Sequence, residues 1–367
     1  MNRILVAACL VLGLAAAGRA IAASGDRPSA PDRAQSLQRQ ALAQLGENTV
    51  DSRRQAVRAL EEANRLAPGD AEIELTLARA YYASGFLQSA RQHFEHASLL
   101  EPDDAAGHLG LGRIWKRDWL QHLDHESLDR AVQELVSATI LDTSNVDAWL
   151  ELEPLLIAED NVGAALVAAF RAAKTDPTRL DAHLAVASVC WRVGLEHDAD
   201  SIFAYNIPFL PGRMRQRFAR FDSLPGRVEL WARATQAYFL FYDPKRGDWD
   251  ERGDVYVHYG PPAEMQHDPV TERHSSIFAV ETDFPLNVQV WSYPELGLTV
   301  KLEDRTLAGR YSLPLVRVQP LDPADLVLAL APPWLPPVMQ PAGEASVGNP
   351  LSNETAVKGA PAQALAR

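Results

Sequence analysis

Small and large apolar residues recur along the first two thirds of the chain at helical spacing, and the arrangement itself repeats. Ala56, Leu60 and Ala63 precede Pro68; Ala90, Phe94 and Ala97 precede Pro102; Ala131, Leu135 and Ala138 precede Thr143. Steps of three and four residues put each trio on one helix face. A bulky residue between two small ones suits a close helix–helix crossing. Pro68 and Pro102 lie 34 residues apart, as do Thr143 and Pro177, and Pro177 and Pro211. Only the step from Pro102 to Thr143 is longer, at 41. The excess falls in the polar run 116–129, expected to be a loop. Leu77, Ala78 and Tyr81, then Leu111, Gly112 and Trp115, supply the facing helix. The pattern predicts a mainly α, right-handed solenoid of about five helical hairpins over residues 37–211.

Beyond Pro211 the period is lost. Arg213, Arg215, Arg217 and Arg220 predict a solvated capping helix. Leu230, Trp231, Ala234, Tyr238 and Phe241 predict an amphipathic helix over 227–242. Alternation at 254–259 predicts a strand with His258 facing solvent, ended by Gly260-Pro261-Pro262. Further strands are expected at 288–293, 298–303 and 309–315, completing a small α+β domain at 212–319. Residues 320–367 are rich in proline and poor in large apolar residues, which predicts a disordered tail.

The N-terminus adds an address. Arg3, an apolar stretch at 4–17 and the small residues around Ala22 have the layout of a signal peptide over 1–23, followed by a linker at 24–36. Fourteen apolar residues fall short of the about 20 that span a bilayer. Export across the inner membrane to the periplasm or cell envelope is therefore expected. With Cys9 in the leader, Cys190 stands alone and no internal disulfide forms. A net charge of -13 argues against nucleic acid as a partner and makes any membrane association peripheral.

Candidate chemistry is sparse. No phosphate-binding loop, nucleophile elbow or paired-cysteine zinc motif occurs, and no cofactor is expected. Asp118, His122, His125 and Glu126 read as polar loop residues rather than metal ligands. His258, Glu264, His267 and Asp268 are the acid–base residues nearest the ordered second domain. Trp115 and Cys190 are expected in the core, as are Trp291 and Tyr311.

Residues 71–102 carry Leu77, Ala78, Tyr81, Ala90, Phe94, Ala97 and Pro102 at the positions that mark a tetratricopeptide repeat, and the segments starting at Ala105, Val146 and Leu180 resemble it in turn. The resemblance implies a concave groove, lined by the first helix of each repeat, that binds a segment of another protein. Arg79, Tyr82, Arg113, Lys116, Arg117, Trp191 and Arg192 fall on or near that face. This basic and aromatic set points to an acidic segment or a terminal carboxylate.

A second resemblance lies in residues 226–318. Gly247, Trp249, Arg252, Gly253, Tyr259, Gly260, Pro261 and Pro262, with Trp291 and Tyr311 downstream, are similar to the GWxTD domain family, although Asp248 takes the tryptophan position and Trp249 is displaced by one. These motif residues are expected to be structural. The resemblance implies an upstream repeat array and a bacterial origin, but no reaction. The leading expectation is a non-enzymatic, exported adaptor of the bacterial envelope. An envelope enzyme acting through the C-terminal domain and a structural spacer are the alternatives.

Overall fold

In the computed structural model, which describes residues 29–244, 246–275, 281–307 and 309–314, short polar side chains open most of the repeat helices. Ser29, Thr49, Asp70, Asp104, Asp124, Asn145 and Asn161 each accept a hydrogen bond from a first-turn N–H. Each such cap contributes about 1 kcal/mol to its helix. The helices are α1 (Ala30–Glu47), α2 (Val50–Leu66), α3 (Ala71–Ser84), α4 (Leu87–Leu100) and α5 (Ala105–His122), then α6 (His125–Leu141), α7 (Val146–Ala158), α8 (Val162–Thr175), α9 (Leu180–Arg192) and α10 (Glu196–Asn206). They pair in order as five hairpins. The expected small–large–small trios are all buried. Close approach sets residue choice directly: a Cβ at Gly112 would lie 2.6 Å from Cγ of Leu135 on the partner helix.

The first hairpin corrects the expected linker, because α1 already begins at Ala30. The signal peptide expected at 1–23, the start of the linker at 24–28 and the tail expected at 320–367 lie outside the described residues. Among the described residues no helix is long and apolar enough to cross a membrane.

The chain divides into two compact units, one ending at Pro102 and the other beginning at Asp103. In the first, α1, α2 and α3 bring together Ala41, Ala56, Leu60, Leu77 and Ala80. Gln38 Nε2 donates to Thr76 Oγ1 at 3.2 Å across this core. Glu74 is buried and accepts from Asn64 at 2.9 Å, with His93 at 2.6 Å and His96 at 2.9 Å. Burial opposes ionisation of Glu74, but these partners outweigh it and lower its pKa.

In the second unit α10 runs into a 3₁₀ turn (Ile207–Phe209), α11 (Gly212–Ala219) and α12 (Arg227–Phe241), the amphipathic helix expected at 227–242. A short antiparallel pair, β1 (Tyr242–Asp243) and β2 (Asp248–Trp249), leads to α13 (Glu251–Tyr259). The strand expected at 254–259 is therefore a helix. Asp250 caps it through Arg252 N–H, and Gly253 sits so close under Trp249 that a Cβ there would meet Cδ1 at 2.4 Å. A three-stranded antiparallel sheet follows: β3 (Glu264–Ser275), β4 (Glu281–Tyr293) and β5 (Leu298–Asp304), with Met265 opposite Trp291 and Trp291 opposite Val300. The strand expected at 309–315 is reduced, over its described residues, to one bridge between Glu303 and Ser312.

The polar run 116–129 is not a loop either. It lengthens α5 to His122, and the exposed carbonyls of that last turn hold the sheet. Leu120 O accepts from Gln289 Nε2 at 2.7 Å and from Arg252 Nη1 at 2.8 Å, and Gln121 O accepts from Tyr311 Oη at 3.0 Å. Helix-terminal carbonyls without intrahelical donors need such partners when covered.

Candidate functional site

The face on which sequence reasoning placed a peptide groove is, in the second unit, filled by the chain itself. α12 packs against α7, α9 and α10. Lys116 Nζ on α5 donates to Phe239 O at 2.8 Å, Gln236 Nε2 donates to Glu153 Oε1 on α7 at 3.1 Å, and Ser188 Oγ on α9 donates to Ala232 O at 3.3 Å. Residues 239, 236 and 232 thus meet the first helices of three successive repeats in turn, so α12 runs counter to the order of the repeats. Ala232, Ala234 and Ala237 on α12 are buried, as are Leu155, Leu184 and Ala185 on the repeats. Small side chains let these helix backbones approach closely.

The expected groove residues in this unit are correspondingly engaged. Lys116 is buried and also donates to Glu151 Oε2 at 2.8 Å; it is not presented to solvent. Arg113 Nε donates to Glu151 Oε1 at 2.9 Å, with Asp147 beyond it at 3.5 Å. Arg117 is half-buried, its guanidinium beside Gly309. Arg192 donates to Tyr256 Oη at 3.3 Å and lies 5.9 Å from the ring centroid of half-buried Trp191. The acceptors of Arg113, Lys116 and Arg192 are the chain's own. In the first unit Arg79 is exposed and Tyr82 half-buried on α3, one 34-residue period before Arg113 and Lys116.

Two carboxylates two residues apart on α7 behave oppositely. Burial opposes ionisation of Glu151, but Lys116 and Arg113 overcome it and hold the carboxyl at about 2. Glu153 is fully buried, and burial pushes its carboxyl up to about 8, with Arg192, Gln236 and Lys116 pulling only partly back. Sequence reasoning missed both. The signal was present: two acids within the run Trp149–Ile157, otherwise apolar up to Pro154, cannot both face solvent on a helix whose sides are largely buried.

The motif residues form a packed seam. Arg252 lies between the rings of Tyr311 and Phe241, 4.4 and 5.0 Å from their centroids. Its Nη2 donates to Asp250 Oδ2 at 2.7 Å and to Gly309 O at 3.0 Å. Asp250 also accepts from Tyr311 N at 3.2 Å. Trp249 donates through Nε1 to Asp254 at 3.1 Å and carries the Arg217 guanidinium at 4.8 Å over its ring. Arg217 in turn donates to both oxygens of Asp248 at 3.0 Å and pairs with Asp254, so the capping helix α11 is tied down rather than fully solvated. Gly247 has φ 65° and Gly260 φ 81°, the left-handed region that glycine enters at least cost. Gly260 O accepts from Tyr293 Oη at 3.1 Å, and a Cβ at Gly260 would crowd Arg233. Tyr259 packs at a tilt against Tyr293, ring centroids 5.6 Å apart, and Pro261 and Pro262 follow in the turn to β3. Trp291 and Tyr311 are core residues, as is Cys190.

His258 is half-buried at the end of α13, not exposed on a strand; burial and Arg233 lower its pKa. Glu264 accepts from Gln266, and His267 packs against His122 at 5.2 Å. Among the described residues no group of three or more His, Cys, Asp or Glu is placed to hold a metal ion.

A tetratricopeptide-repeat family model matches residues 52–114. No curated protein matches the chain. Similar solved structures include TTC0263, a TPR protein of Thermus thermophilus, at 18% identity over 52% of this chain and 97% of that one, with a TM-score of 0.43. PilF of Pseudomonas aeruginosa is 13% identical over 57% of this chain and 90% of its own, with a TM-score of 0.46. YrrB, described as a TPR protein with an unusual peptide-binding site, is 17% identical over 50% and 90%, at 0.38. The chain is mainly helical and carries tetratricopeptide-like hairpins, a fold consistent with a protein-interaction adaptor; the GWxTD resemblance rests on its motif alone.

Proposed function

We propose that this protein is an exported adaptor of the bacterial envelope that holds an acidic or C-terminal segment of a partner protein on its N-terminal hairpins. The observation that carries this reading is that α3, the first helix of a hairpin within the residues matched by the tetratricopeptide-repeat model, exposes Arg79, with half-buried Tyr82 one turn on. Arg grips a carboxylate with two parallel bonds, and a tyrosine beside it offers a flat apolar anchor. The packed seam of Asp250, Arg252 and Tyr311 supports a structural role for the C-terminal domain. The apolar leader supports export.

Affinity purification from the envelope fraction tests this, comparing the intact mature chain with Arg79→Glu/Tyr82→Ala. Loss of the captured partner with an unchanged circular dichroism spectrum is expected. Recovery of the same partner at the same yield would remove the N-terminal hairpins from the proposal.

A further inference from the structure

We infer that Glu153 carries a proton in the folded protein and exchanges two hydrogen bonds with Gln236, making the seating of α12 a latch that tightens in acid and loosens in alkali. Both side chains are fully buried, one on α7 and the other on α12. Gln236 Nε2 reaches Glu153 Oε1 at 3.1 Å and Oε2 at 3.4 Å. Gln236 Oε1 has no hydrogen-bond partner among the described residues. An ionised carboxylate only accepts, so it leaves that amide oxygen unsatisfied in the interior, which is costly. A carboxylic acid both accepts from Nε2 and donates its O–H to Oε1. A half-turn of the amide leads to the same conclusion, since an amide oxygen facing the carboxyl again needs a proton between them.

The surrounding charges do not supply an ion pair instead. The groups facing Glu153 are Lys116 from α5, Arg192 from α9 and Tyr256 from α13. Lys116 is bonded to Glu151 and Phe239 O, and Arg192 to Tyr256 Oη. Burial raises the Glu153 carboxyl from its ordinary 4.5 to about 8. The folded state therefore binds a proton that the opened state releases between those values. Closure of α12 is favoured below 4.5 and weakens as pH rises toward 8. This latch is independent of what α1 to α4 hold.

Hydrogen–deuterium exchange of the α12 amides in the full chain, corrected for intrinsic exchange, reads the latch from pH 5 to 9. In the wild type the opening equilibrium should rise about tenfold per pH unit up to about pH 8 and then level. Glu153→Gln keeps a donor and an acceptor but cannot ionise, so its opening should stay near the acid wild-type level throughout. A flat wild-type profile overturns the inference, as does a Glu153→Gln chain that opens at every pH. Infrared spectroscopy gives a second reading that needs no variant: a protonated-carboxyl band at pH 6.5 that vanishes above pH 9 is expected, and its absence at pH 6.5 contradicts the proposal.

Discussion

Replacing Arg252 with alanine should destabilise the second unit by about 4 kcal/mol. The Arg252 and Asp250 side chains are only 6% and 7% exposed, and breaking a buried pair by removing one partner costs about 3–5 kcal/mol. The variant also loses the bonds to Leu120 O and Gly309 O, and the contacts with Phe241 and Tyr311. Asp250 keeps the N–H groups of residues 252 and 311, which holds the cost near the middle of that range. All eight tryptophans lie at position 115 or later, so urea unfolding followed by tryptophan fluorescence reads the second unit. A double-mutant cycle with Asp250→Asn isolates the pair, with a coupling of about 2 kcal/mol expected within the range for residues in contact. A loss below about 1 kcal/mol, or an additive cycle, would refute the view that this pair anchors the seam.

Gly253→Ala should cost about 1–3 kcal/mol and shift the near-ultraviolet spectrum, because Trp249 must move to admit a Cβ. Tyr311→Phe leaves the ring in place but removes the bond to Gln121 O, and a loss of about 1 kcal/mol in urea is expected. Glu151 is held at about 2 when folded against 4.5 when free, so its contribution to stability is present above pH 4.5 and lost as pH falls toward 2. Glu151→Gln should therefore be less stable than wild type at pH 6, with the gap closing by pH 2 in thermal melts.

The repeats were legible because their chemistry is local. Ala56, Leu60, Ala63 and their counterparts carry the 34-residue period without help from distant residues, and each trio is buried as expected. The misread segments depend on contacts that periodicity does not show, local ones at 254–259 and distant ones at 116–129. Val255 and Val257 alternate like a strand, yet the Asp250 cap and the Trp249–Gly253 contact make a helix there. The run 116–129 looked like a loop because its carbonyl partners, Arg252, Gln289 and Tyr311, lie more than 100 residues later. Nothing local to Lys116 on α5 identifies Phe239, 123 residues away, as its acceptor.

The central proposal is that α3 offers position 79 to a partner protein, while Arg113 and Lys116 on α5 are engaged by the chain's own α7 and α12. A photo-cross-linking amino acid placed in turn at positions 79 and 113, in cells expressing the full protein, tests it most directly. Position 79 should capture a second protein, while position 113 should yield only links within the chain, to α7 or α12. Capture of a foreign protein at 113 with none at 79 would contradict the account.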